Sequence, residues 1–163
     1  MSDFQPVERI EGPADAGVLI VCDHASHALP AEYGSLGLPP EAFQRHIAYD
    51  IGAAGVTRRL AKLLNAPALL SCFSRLLIDP NRGADDPTLV MRISDGALIP
   101  GNARIDAAEI GKRRDRYWRP YREAAIAEVE RLSASGRIPS VISIHSFTPI
   151  WKGAARPWHV ALL

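Results

Sequence analysis

The sequence predicts a three-layer α/β domain built on a mixed, mostly parallel sheet, and three observations carry that prediction. "GVLIVC" at 17–22 is a continuous apolar run of strand length, the form a strand takes when both of its faces are covered. The helix-length segment "DIGAAGVTRRLAKLLNAP" at 50–67 separates it from a second apolar run, "ALLSCFSRLLID" at 68–79, and strand, helix, strand in one sheet implies a right-handed crossover and a parallel pair. With 163 residues, 47% of them apolar and 23% charged, the chain can bury one core, so a single domain over 1–163 is expected.

The elements follow in order. The polar, acidic lead-in "MSDFQPVERIEGPADAG" has no apolar signal core, and the first strand is expected only after it. Pro40 opens a short helix in "LPPEAFQRHIAYD". In the better helix Asp50 is the expected N-cap, Val56, Leu60, Leu63 and Leu64 form the apolar stripe, and Asn65 with Pro67 ends it. The strand at 68–79 is interrupted near Ser74. Residues 80–102, rich in Pro, Gly, Asp and Asn, read as a long loop with one short strand around Leu89 to Ile93, and loops of that length inside domains are usually functional. From Asp106 to Ser135 the pattern is helical, Pro120 forces a kink or a break, and Gly136 stops it. "IPSVISIHS" and "RPWHVALL" are two further expected strands, and because a bare apolar run is an unusual end for an α/β domain, the chain is expected to be cut short at its C-terminus.

Composition excludes several classes of function. A formal charge of +1 creates no field to attract nucleic acid or an anionic membrane, and no window approaches the roughly 18 apolar residues of a spanning helix. "KRRDRYWRPYRE" interleaves basic and aromatic residues as nucleic-acid grooves do, but helical spacing sets Tyr117, Trp118 and Tyr121 on one stripe, which reads as a buried aromatic face behind a solvated basic one. Cys22 and Cys72 both lie in apolar runs and suit reduced core thiols, which points to the cytoplasm. A Ser26 or Ser146 nucleophile lacks its GxSxG elbow.

What remains is a repeated device. "VLIVCDHAS" and "SVISIHSFTP" are both apolar strands whose C-terminal ends deliver a His and then a Ser. Strand C-termini converge on the binding crevice of open α/β sheets, so His24 and His145 are expected to meet there. Two imidazoles and one carboxylate, with a position left for water, suit a hydrolytic zinc site, and Asp50, Asp23 and Asp79 are the available carboxylates. His27 reads as a supporting or surface residue, His46 as a partner of Asp50 or of substrate, and His159 as a core residue. In "FSRLLIDPNRG", Arg75, Asn81 and Arg82 suit an acidic small molecule, because the guanidinium fork recognises carboxylates bidentately, and Asp79 can orient one of them.

The blocks "CDHASHALP", "HIAYDIGA", "SRLLIDPNR", "IHSFTP" and "RPWHVALL", in that order and spanning nearly the whole chain, resemble the N-formylglutamate amidohydrolase family. That family is related in fold to zinc carboxypeptidases and aspartoacylases, so the resemblance implies a phosphorylase/hydrolase-like sheet and metal-assisted hydrolysis of an N-formyl amide to formate and glutamate, in histidine degradation. It implies His24 and His145 as metal ligands, with zinc first among divalent ions. Asn81 and Arg82 are similar to the pair that holds a substrate carboxylate, Arg75 polarises the scissile carbonyl, and Ser146 belongs to the second histidine segment. The carboxypeptidases place a Glu three residues after the first ligand His. Here that position is His27, which leaves Asp50 as the preferred third ligand. The water-activating carboxylate of those enzymes comes late in the chain, so it is expected beyond Leu163, or else from Asp23. The alternatives are an amidase for another N-acyl amino acid or short peptide, or a noncatalytic carboxylate-binding protein.

Overall fold

The computed structural model describes residues 4–151 and 153–162. The chain runs through β1 (Val7–Ile10), β2 (Val18–Cys22), α1 (Ala53–Leu64), β3 (Ala68–Ser71), β4 (Ile93–Ser94), β5 (Ala97–Leu98), α2 (Pro100–Ala103), α3 (Ala107–Arg113), α4 (Arg119–Ser133), β6 (Ser140–Ser143), β7 (Ile150–Trp151) and β8 (Ala154–Ala155). The main sheet has the order β1-β3-β2-β6, with β2 parallel to both neighbours and β1 antiparallel at one edge. This is the mixed, mostly parallel α/β sheet expected.

The two-sided apolar character of β2 has a direct cause. Leu19, Val21 and Leu69 point to one face and join Tyr117, Trp118, Tyr121 and Leu132 from the region of α4. Ile20, Cys22, Ala68 and Leu70 point to the other and meet Ala53 and Ala61 of α1. Successive strand residues alternate between faces, so a strand covered on both sides has no polar position to spare. The aromatic stripe at 117–121 is buried as expected. Cys22 and Cys72 are free thiols.

Several local expectations need correction. The lead-in contains β1, paired with β3 from Val7 opposite Ser71 to Ile10 opposite Ala68; its short alternating "VERI" carries too little apolar character to stand out. Asp50 does not cap α1. Gly52, with φ of 84°, stands at that position, a left-handed conformation that glycine adopts without Cβ strain. The buried stripe of α1 is Ala53, Thr57 and Ala61, whereas Val56, Leu63 and Leu64 are exposed, because small side chains are what let the helix approach the sheet closely. The strand at 68–79 ends at Ser71, and the short strand expected at 89–93 is instead the hairpin of β4 and β5. The helix from Asp106 continues through a π-helical turn at Arg114–Trp118 into α4, so Pro120 sits in the first turn after that widening. Asp106 is a true N-cap, its side chain accepting from the Glu109 N–H at 2.8 Å. Residues 156–162 form no strand, Leu163 lies outside the described residues, and His159 is exposed rather than buried.

Candidate functional site

The site lies where β2 and β6 end. The ladder Val18–Val21 against Ser140–Ser143 is prolonged by a bond from the Ile144 N–H to the Val21 carbonyl at 2.9 Å, which holds Asp23 and His24 beside Ser143 and His145. The His24 and His145 rings lie 5.1 Å apart between centroids. Asp50 comes in from the turn before α1, fixed by its own N–H donating to the His24 carbonyl at 2.9 Å. The segment after β3 is pinned beneath it: Ser74 Oγ donates to the Ala48 carbonyl at 2.8 Å and the Ser74 N–H to the Ala28 carbonyl at 2.8 Å. This delivers Arg75 and Asp79.

Asp50 is the hub. Its carboxylate lies 2.8 Å from His145 Nδ1 and 3.6 Å from His24 Nδ1, and it accepts from Arg75 Nη2 and from the Ser146 N–H at 3.2 Å. Burial works against its ionisation, but His145, His24 and Arg75 outweigh burial and hold it well below the usual carboxylate range. Asp79, buried, accepts from His24 Nε2 at 2.7 Å and from the Asn81 N–H at 2.9 Å. Asp23, also buried, accepts from the Tyr121 hydroxyl at 2.9 Å and the Ser143 hydroxyl at 3.0 Å, with His145 Nε2 at 3.4 Å. Burial disfavours the Asp23 anion, yet His145, Tyr121 and Ser143 lower its pKa. Both imidazoles respond to these acids: burial opposes the charged form of His24 but Asp50 and Asp79 prevail and raise its pKa, while Asp23 and then Asp50 push His145 up to about 9.

His24, Asp50 and His145 can hold a metal ion, since ligand atoms from the three lie within 4.8 Å of one another. The donor set fits a divalent cation on a second ground. His24 Nδ1 is buried with no hydrogen-bond partner, a costly state that a bound cation relieves. Two His and one carboxylate also leave a coordination position open, the mark of a catalytic rather than a structural site.

The remaining sequence candidates divide. Arg82 is half exposed at the rim, 3.8 Å from Asp79 and 4.0 Å from Asp86. Asn81 and Ser146 are exposed beside it and beside Asp50, touching those acids through backbone N–H groups. His27 is exposed against the Tyr49 ring, and His46 is 3.7 Å from Asp95 rather than paired with Asp50. The residues the sequence did not single out are those behind the site. Asn102 Nδ2 donates to the Leu76 and Met91 carbonyls at 2.7 and 2.8 Å, and buried Arg113 donates to Asn102 Oδ1 at 2.7 Å, which ties the long loop to α3. Such partners give no local signal, because they lie 11 to 36 residues from the groups they bond.

Comparison with known proteins agrees with this architecture. A model of the N-formylglutamate amidohydrolase family matches residues 16–160. The fold is similar to that of gene product Atu2144 from Agrobacterium tumefaciens, with TM-score 0.86 and 35% identity over 94% of this chain and 61% of that one. It is also similar to N-formylglutamate amidohydrolase from Ralstonia eutropha JMP134, with TM-score 0.73 and 22% identity over 87% of this chain and 57% of that one, a likeness of fold alone. The chain thus spans about three fifths of the length of these two structures. No curated protein matches it.

Proposed function

Because the chain belongs to the N-formylglutamate amidohydrolase family, we propose that it acts in the metal-dependent hydrolysis of the N-acyl amide of a small acidic amino acid, N-formylglutamate first. The observation that carries this reading is the convergence of His24, Asp50 and His145, with an orphaned His24 Nδ1 among them. These residues would hold the ion, and zinc suits two imidazoles and a carboxylate. Bound there, zinc supplies Lewis acidity toward the amide carbonyl.

The chain's own residues do the rest. Arg75, held against Asp50, sets a fixed positive charge beside the three ligands, where negative charge develops on the carbonyl oxygen as water adds. Among the described residues the Arg82 guanidinium is tied only by long contacts to Asp79 and Asp86, so it can turn its fork to a substrate carboxylate, with Asn81 and Ser146 supplying polar contacts nearby. One water is consumed; formate and glutamate leave. The reaction belongs to histidine degradation, and two free thiols suit a reducing, cytoplasmic setting. No helix among the described residues is long and apolar enough to cross a membrane.

The test is a substrate panel on zinc-loaded and chelator-treated protein, scored by formate release, alongside binding of glutamate-like ligands to Arg82→Ala. The expected result is zinc-dependent cleavage favouring N-formylglutamate, and a loss of about 1.5 to 3 kcal/mol in ligand binding for the variant, with neutral analogues unaffected. Preference for a longer acyl group would move the substrate assignment. Cleavage indifferent to chelation would end the metal-dependent reading.

A further inference from the structure

We propose that Tyr121, Asp23 and Ser143 form a hydrogen-bond relay that fixes the proton of His145 on Nε2, matching what Asp79 does for His24, so that both rings present Nδ1 to the ion. The inference rests on the reading that the site holds a metal.

The direction of each bond follows from what the groups can donate. An ionised carboxylate only accepts. Asp23 therefore receives the Tyr121 O–H on Oδ1 at 2.9 Å and the Ser143 O–H on Oδ2 at 3.0 Å. Ser143 has a single proton, and once that proton is directed to Asp23 its oxygen can act only as an acceptor. Its 3.0 Å contact with His145 Nε2 must then be the ring N–H donating to Ser143. Nδ1 faces Asp50 at 2.8 Å, a hydrogen bond in the metal-free protein and the ring nitrogen left to a cation once that proton is lost. On the other ring the logic is shorter. Asp79 Oδ1 takes the His24 Nε2–H at 2.7 Å, and Nδ1 is buried without a partner. Each imidazole is tied from behind through Nε2 to a buried carboxylate, directly for His24 and through a hydroxyl for His145.

The start of the relay is remote. Tyr121 lies on α4, 98 residues from Asp23, and is buried among the aromatic residues of the helix. Its ring serves the core, and its hydroxyl reaches through to the site. Partners that orient a ligating histidine in this way typically change metal affinity about 10- to 100-fold when removed. Tyr121, Ser143 and Asp23 are thus positioning residues, acting on the ion through His145.

The experiment compares zinc affinity, by competition with a chromophoric chelator, for wild type, Tyr121→Phe, Ser143→Ala and Tyr117→Phe. Tyr117 belongs to the same buried cluster, but its hydroxyl donates to Glu32 at 3.1 Å and not toward the site. Thermal melting of the metal-free proteins reports fold, and long-range 1H–15N spectra of the zinc-loaded wild type report which ring nitrogens bind. The expected result is a loss of about 10-fold or more for Tyr121→Phe and Ser143→Ala, none for Tyr117→Phe, and Nδ1 coordination of both histidines. Unchanged affinity in both relay variants, equal loss in Tyr117→Phe, or His145 bound through Nε2 would overturn the relay while leaving the metal site standing. A wild type that takes up no zinc overturns both.

Discussion

The two sides of β2 carry the same strand-end device in opposite surroundings. On one side every residue of β3 is buried and β1 covers its far edge; on the other, all four residues of β6 are exposed. His24, at the tip of β2, shares the closed side, with its side chain only 4% exposed and locked on Asp79. His145, at the tip of β6, has 35% of its side chain exposed and lies 3.4 Å from Asp23, with the Ser143 hydroxyl bonded to both. The difference teaches that one histidine is built into the core and the other stands at an exposed edge. In the proposed metal site such a pair would fix the ion from one side and admit substrate and solvent from the other.

Substitution of the two histidines sharpens the contrast most. His24→Ala and His145→Ala are both expected to reduce zinc from about one ion per chain to a trace, by elemental analysis. Only His24→Ala should also destabilise the metal-free protein strongly, by about 3 to 5 kcal/mol in urea titration, because it leaves the buried Asp79 carboxylate without its ring partner. His145→Ala should cost less, because its ring is partly exposed and Asp50 and Asp23 keep Arg75, Tyr121 and Ser143 as partners. Equal stabilities would erase the distinction.

A second pair moves the comparison from the site to the strands. Leu70→Ala, in β3 at 1% exposure, should cost about 2 to 5 kcal/mol through lost burial and the cavity left behind. Val141→Ala, in β6 at 54% exposure, should cost under about 1 kcal/mol. Both are read as shifts in the urea midpoint, and a larger effect at Val141 would mean that β6 is covered in solution.

The closed side has a last, small fastening in the Glu8–Arg58 pair, which clips β1 to α1 at 2.6 Å. The hydrogen bond from Arg58 lowers the Glu8 pKa. A lowered carboxyl pKa contributes stability above the ordinary glutamate range, and that stability is lost as pH falls through the lowered value. Glu8→Gln should therefore cost under about 1 kcal/mol near neutrality and progressively less in acid, followed by thermal melts against pH. A cost that grows on acidification would contradict the assignment.

The front of the site was legible in the sequence because ionisable residues rarely end an apolar strand. That irregularity marked His24 and His145, and the β-α-β order predicted that their strands would lie in one sheet. Asp50 reads in the sequence both as the preferred third ligand and as a cap, and Gly52 fills the cap position. What could not be read was support that crosses the fold. Tyr121 reads locally as one more aromatic on a buried stripe, and only the packing of α4 against β2 brings its hydroxyl to Asp23. The stripe of α1 misled for the converse reason. Leucines dominate a helical pattern, yet at this close approach the sheet selects Ala53, Thr57 and Ala61. In "RPWHVALL" composition alone suggests a strand, but among the described residues 156–162 pair with no strand.

The most direct test of the central claim is a crystal of the zinc-soaked protein measured at the zinc absorption edge. The result expected is one anomalous peak per chain in contact with His24, Asp50 and His145, absent from Asp50→Ala crystals soaked alike. A peak elsewhere, or an undiminished peak in the variant, would contradict the claim that these three side chains form the metal centre.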